Sequence, residues 1–112
     1  LPKRLPPNIA MEMALTGDTI EAARAYQHGL VNILCESGEA VDEAIALAKR
    51  INANAPLAVR ATRKAVLEGG IVEDNEGIRL AIDFFQPVAV SEDAKEGPKA
   101  FVEKRSPKWK AR

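Results

Sequence analysis

The sequence has little of what most enzyme mechanisms draw on. Among 112 residues there is one cysteine and one histidine. A lone Cys35 cannot close an internal disulfide, which suits a reducing, cytoplasmic compartment. With no second His and no second Cys to share a ligand set, the residue types argue against a metal site. Aromatics are only 4% of the chain, so any core must be aliphatic and rich in Ala. Charge of one sign is also missing: 16 acidic residues face 16 basic ones. That balance argues against a general nucleic-acid binder or a membrane-surface binder. No apolar run exceeds five residues, far short of the ~20 that cross a bilayer. Where a secretory signal would turn apolar, Lys3 and Arg4 are followed by Pro6 and Pro7. The chain opens on Leu1 rather than Met and reads as a processed product or a piece of something larger.

What is there reads as one mainly α chain of about six helices with one short orphan strand. Leu1 to Pro7 is a proline-rich extended lead-in. Asn8 is positioned to cap a helix over 9–16, which Gly17 stops. Asp18 and Glu21 have capping-box spacing, with Thr19 an equal candidate, for a second helix closed at His28-Gly29. The β-branched run Leu30 to Cys35 reads as the only strand, one that needs a partner from elsewhere. Val41, Ala44, Ile45, Ala48 and Ile51 then form a continuous apolar stripe on a helix over 39–54. Pro56 opens a fourth helix that should run to about Glu68 and end at Gly69-Gly70. A fifth, with Ile78, Ile82, Phe85 and Ala89 on one face, should kink or end at Pro87. Ser91 caps a sixth that reaches about Lys104, and Pro107 begins a frayed tail.

Candidate chemistry is thin. His28 precedes a helix-ending Gly and reads as a polar terminal residue that suits the dipole. Cys35 reads as a small buried hydrophobe rather than a nucleophile. Gly69-Gly70 lacks the following Lys-Ser or Lys-Thr of a phosphate-cradling loop. The carboxylates fall mostly in exposed first turns, not in a dry pocket. The segment from Lys99 to Arg112 stands apart: six basic residues against Glu103 alone, with Phe101 and Trp109 interleaved. Basic groups beside an aromatic can hold a phosphorylated aromatic ligand. A solubilising tail with Phe101 packed inward is the bland alternative.

Several segments resemble one family. Ala10-Met11-Glu12-Met13-Ala14-Leu15-Thr16-Gly17-Asp18 is similar to the A-M-E-(L/M)-x-L-T-G-(D/E) motif of enoyl-CoA hydratases/isomerases (crotonases). His28-Gly29-Leu30-Val31-Asn32 resembles its G-L-V-N element, and Ala53-Asn54-Ala55-Pro56-Leu57-Ala58-Val59 its A-N-x-P-L-A-V helix start. Ser91-Glu92-Asp93-Ala94-Lys95-Glu96-Gly97 and Ala100-Phe101-Val102-Glu103-Lys104-Arg105 resemble its S-E-D-x-x-E-G…A-F-x-E-K-R ending. Glu21 departs from the Ser or Thr cap more usual there.

The resemblance covers the C-terminal part of the family's subunit and implies the following. Leu1-Pro2 resembles the segment just after the P-E-x-x-x-G loop. The G-A-D-(I/L), G-G-G-C-E-L and P-E-x-x-x-G motifs of the oxyanion hole and catalytic glutamates are absent, so no residue takes a catalytic role. The parent reaction is reversible addition of water to a 2-enoyl-CoA through an enolate, and family members also isomerise, dehalogenate or hydrolyse acyl-CoAs. No cofactor is implied, since CoA is part of the substrate. Residues 1–38 would be a junction packed on a missing spiral domain, and residues 39–112 a C-terminal helical oligomerisation region. Partners are an acyl-CoA and further copies of the chain, a trimer or hexamer in the parent, with neither nucleic acid nor membrane. Phe101 and Lys104 would reach the adenine and phosphate end of CoA on a neighbouring subunit. A free-standing helical oligomerisation module is the alternative reading, and a nucleic-acid contact through the basic tail is a third.

Overall fold

The computed structural model describes residues 3–112; the Leu1-Pro2 start of the expected lead-in lies outside them. Among the described residues there are six α-helices: α1 (Pro7–Thr16), α2 (Ala22–Gln27), α3 (Ala40–Asn52), α4 (Pro56–Lys64), α5 (Asp74–Ala89) and α6 (Glu92–Val102). The mainly helical reading holds. The chain divides into two compact units, Leu1–Ala46 and Leu47–Arg112.

In the first unit, Leu5, Ile9 and Ala10 are buried, with Met13, Ile20 and Leu30 packed against them. Helix α1 starts earlier than expected. Pro7 takes the first helical position, where its missing N–H costs nothing, and Pro6 rather than Asn8 is the N-cap residue. Nor does the Asp18–Glu21 capping box form: Glu21 stands at the N-cap of α2 without a side-chain bond. Thr16 Oγ1 instead accepts from the Asp18 N–H at 3.1 Å. Arg24 on α2 makes a two-pronged pair with Glu12 on α1, 2.8 Å on each prong.

The expected strand does not form. No strand occurs among the described residues, and the run Leu30 to Cys35 has no ladder partner. The physical reason is twofold. One strand cannot satisfy its own amides in a sheet, and Leu30 is drawn onto the α1 core instead. Cys35 is half-buried and free.

In the second unit, α4 does not continue to Glu68 as a regular helix. It passes at Ala65 into a π-helical turn, Ala65–Gly69. Both α4 and this turn pack on α5. The approach is close because it joins two glycines: a Cβ on Gly77 would stand 2.9 Å from the Gly69 carbonyl oxygen. Pro87 neither starts nor ends a helix; α5 runs two residues past it. Ser91 caps α6 as expected, accepting from the Ala94 N–H at 3.1 Å while its own hydroxyl donates to the Val88 carbonyl at 2.6 Å. Helices α3 and α5 bury no residue at all. Their apolar stripes, Val41, Ile45 and Ile51 on one and Ile78, Ile82 and Phe85 on the other, are exposed.

Candidate functional site

Helix α6 closes with a Schellman motif. The Arg105 N–H bonds the Ala100 carbonyl at 3.1 Å and the Lys104 N–H bonds the Phe101 carbonyl at 3.2 Å. The same pair of bonds closes α2, from Leu30 to Ala25 and from Gly29 to Tyr26. The residue between the helix and the reversal must be left-handed. After α2 that residue is Gly29, at φ +71°; after α6 it is Lys104, at φ +52°. A side chain at such a φ costs roughly 1–2 kcal/mol that glycine would not.

Beyond the turn, the tail is not frayed. It runs back along α6 and is held by three carboxylates from that helix's own first turns. Glu96 accepts both guanidinium nitrogens of Arg105, at 2.6 and 3.0 Å, and the Lys108 N–H at 2.7 Å. These bonds hold its carboxyl down at about 2, the Arg105 fork contributing most and the Lys108 amide next. Asp93, only 3% exposed, accepts the N–H groups of Lys110 and Ala111 at 2.7 and 3.0 Å. The Glu92 side chain pairs with Lys110 and Arg112, and its N–H bonds the Arg112 carbonyl at 2.7 Å. Trp109 donates from Nε1 to the Ala53 carbonyl, at 2.9 Å. Its ring lies against Gly97, where a Cβ would meet it at 3.5 Å.

This arrangement sorts the basic segment. Arg105, Lys110 and Arg112 are committed to carboxylates. Lys104 has no side-chain partner among the described residues. Phe101 does not pack inward: it is 85% exposed. The two stand three residues apart where α6 ends and the chain reverses. Between α6 and the tail lies a shallow cavity of about 210 Å³, lined by the three carboxylates with Lys95, Lys99, Lys108 and Lys110. His28 lies at the end of α2 in the first unit and Cys35 in the following loop, with no side-chain bond joining them.

The model of the enoyl-CoA hydratase/isomerase family matches residues 1–112, the whole chain. The chain belongs to the enoyl-CoA hydratase/isomerase family. A carnitinyl-CoA dehydratase of Proteus mirabilis is 42% identical over 116 residues, covering 100% of this chain and 44% of the dehydratase. An enoyl-CoA hydratase of Mycobacterium tuberculosis, EchA19, is 38% identical over 112 residues, 42% of its length. Among solved structures, an enoyl-CoA hydratase from Mycobacterium tuberculosis H37Rv superposes with a TM-score of 0.95 at 48% identity, covering 100% of this chain and 44% of that one. The chain thus spans less than half the length of these relatives.

Within this family member, the closing motif divides by role. Ser91 caps, Glu92, Asp93 and Glu96 hold the tail, Gly97 seats the indole, and Arg105 returns to Glu96. Sequence reasoning missed this, because it placed the carboxylates on a solvated helix face. Three of their partners are the backbone N–H groups of Lys108, Lys110 and Ala111, which every residue carries and no side-chain pattern announces. The available signal was acidic residues at the start of α6 answering cations after its end.

Proposed function

We propose that this chain is the C-terminal segment of an enoyl-CoA hydratase/isomerase-family enzyme that adds water reversibly to 2-enoyl-CoA thioesters. It contributes support and subunit contacts rather than the reacting groups. Phe101 and Lys104 meet the adenine and phosphate end of CoA, on a neighbouring subunit. The observation that carries this reading is the pairing of an exposed ring and an uncommitted cation at the end of α6. Every other charged residue of the A-F-x-E-K-R ending is tied up in ion pairs. An ammonium suits a phosphate and a ring face suits a base. The enolate oxyanion needs rigidly held donors, which a supporting helical layer helps to preorganise. No cofactor enters, and the free Cys35 fits a reducing cytoplasmic setting.

The test uses the intact enzyme that carries this segment. Lys104→Ala should raise KM for a 2-enoyl-CoA at low salt, and the effect should fade as salt rises. It should vanish for thioesters lacking the ribose 3′-phosphate. An unchanged KM at low salt would show the end of α6 to be only solvated surface. A second reading, a helical oligomerisation module without ligand, is favoured by one observation: α3 and α5 bury nothing. Binding of CoA by the intact enzyme through Lys104 would exclude it.

A further inference from the structure

The two Schellman turns pose a question that stability alone does not answer. After α2 the left-handed position is glycine; after α6 it is Lys104. Glycine would serve the fold better there, yet the position carries a side chain that bonds nothing among the described residues. Something must then hold that backbone in place, and one residue is placed to do so. Arg105 closes the turn twice. Its N–H makes the long bond to Ala100. Its guanidinium returns to Glu96, five residues before Phe101 on the same helix, through two bonds of 2.6 and 3.0 Å. Its Nε takes the neighbouring Glu103 as well.

We infer that Arg105, pinned by Glu96, is a positioning residue that fixes the turn presenting Lys104 and Phe101 to the phosphate and base of the bound thioester. The inference rests on the CoA reading above and adds the residue that makes it geometrically possible. Without the fork, Lys104 relaxes to a negative φ, which redirects its Cα–Cβ bond and pulls the Arg105 N–H away from the Ala100 carbonyl. A planar two-pronged guanidinium holds a fixed orientation that a single ammonium does not. Glu96 also bonds the Lys108 N–H, so one carboxylate ties the turn to the returning tail.

The experiment is a double-mutant cycle on the intact enzyme, with KM and kcat measured separately at low and high salt. Arg105→Gln should raise KM for a 2-enoyl-CoA about three- to tenfold at low salt, with kcat unchanged. Arg105→Lys should fall between wild type and Arg105→Gln, and it carries the comparison if Arg105→Gln does not fold. The decisive variant is Lys104→Ala with Arg105→Gln. If Arg105 acts through Lys104, the double variant is no worse than Lys104→Ala alone apart from a small residue due to Phe101. Fully additive effects, or a fall in kcat that matches the rise in KM, would overturn the positioning role. A KM indifferent to Lys104→Ala but raised by Arg105→Gln would overturn the CoA reading and this inference with it. A KM raised by Lys104→Ala but untouched by Arg105→Gln would overturn the inference alone.

Discussion

The indole of Trp109 donates to the carbonyl of Ala53 at 2.9 Å, across 56 residues of chain. Ala53 stands just after α3 and Trp109 in the C-terminal tail. The bond therefore closes a loop containing α4, α5 and α6, all within one compact unit. Trp109 is the sole tryptophan, so its fluorescence reports the docking of the tail.

Gly97 controls that docking by size. A Cβ there would touch the Trp109 ring at 3.5 Å, an ordinary contact. Gly97→Ala should be tolerated and should gain about 0.5–1 kcal/mol from helix propensity. Gly97→Leu should instead evict the ring and cost about 1–3 kcal/mol. Denaturant unfolding followed by circular dichroism gives the stabilities, and the tryptophan emission should move red only in the Leu variant. An equal emission shift in both variants would count against the contact.

Acid should release the tail before it melts the helices. Glu96 has its carboxyl lowered from 4.5 to about 2 by the Arg105 fork and the Lys108 amide. A group depressed on folding stabilises above its unfolded value and loses that contribution as pH falls through the folded value. Glu92, lowered by Lys110 and Arg112, acts in the same direction. Tail docking should thus be constant from neutral pH down to about 4.5 and decline from there toward about 2. The observable is Trp109 emission across that window, compared with far-ultraviolet circular dichroism. Glu96→Gln should show a weakened, flatter acid limb and part of the acid-state emission already at pH 7.

Lys104 should trade stability for binding. Lys104→Gly removes a side chain from a left-handed position and should stabilise the chain by about 1 kcal/mol, seen as a higher denaturation midpoint. The same change in the intact enzyme should weaken CoA affinity as Lys104→Ala does. A Gly variant neither more stable nor weaker in binding would contradict both halves.

The chain should self-associate. Ile78 and Ile82 on α5 are 60% and 58% exposed, and that helix buries nothing. Contiguous apolar faces of this kind mark surfaces that another chain covers. Sedimentation velocity should give dimers or trimers at high concentration, and Ile82→Asp should shift them toward monomer. A wild-type chain that stays a 12.1 kDa monomer under those conditions would refute this.

Much of the helical layout is legible in the residues, because its signals are local. The 3.6-residue apolar stripe of α3, Pro56 at the start of α4, and Ser91 before Glu92 and Asp93 each act within one or two turns. Gly17 and Gly29 likewise mark their helix ends because each turn needs a left-handed residue there. Lys104 escaped the same reading, because no local rule puts a lysine where glycine is cheaper. Its conformation depends on Arg105 and, through it, on Glu96 a full two turns away.

The order of residues alone specifies a helical chain with balanced charge, scant catalytic residue types and a basic, aromatic ending in an enoyl-CoA hydratase/isomerase pattern. Periodicity, caps and breakers suffice for that, since each depends on neighbours within about four residues. Folding in three dimensions puts Leu30 on the α1 core instead of in a strand. It alone decided that Asp93 and Glu96 grip the tail, and that Phe101 and Lys104 are left to solvent. Those outcomes rest on backbone amides meeting carboxylates 12 to 18 residues away, and on which apolar face finds a partner. Such choices are made by packing in three dimensions, where every N–H is an equal candidate until the chain has folded.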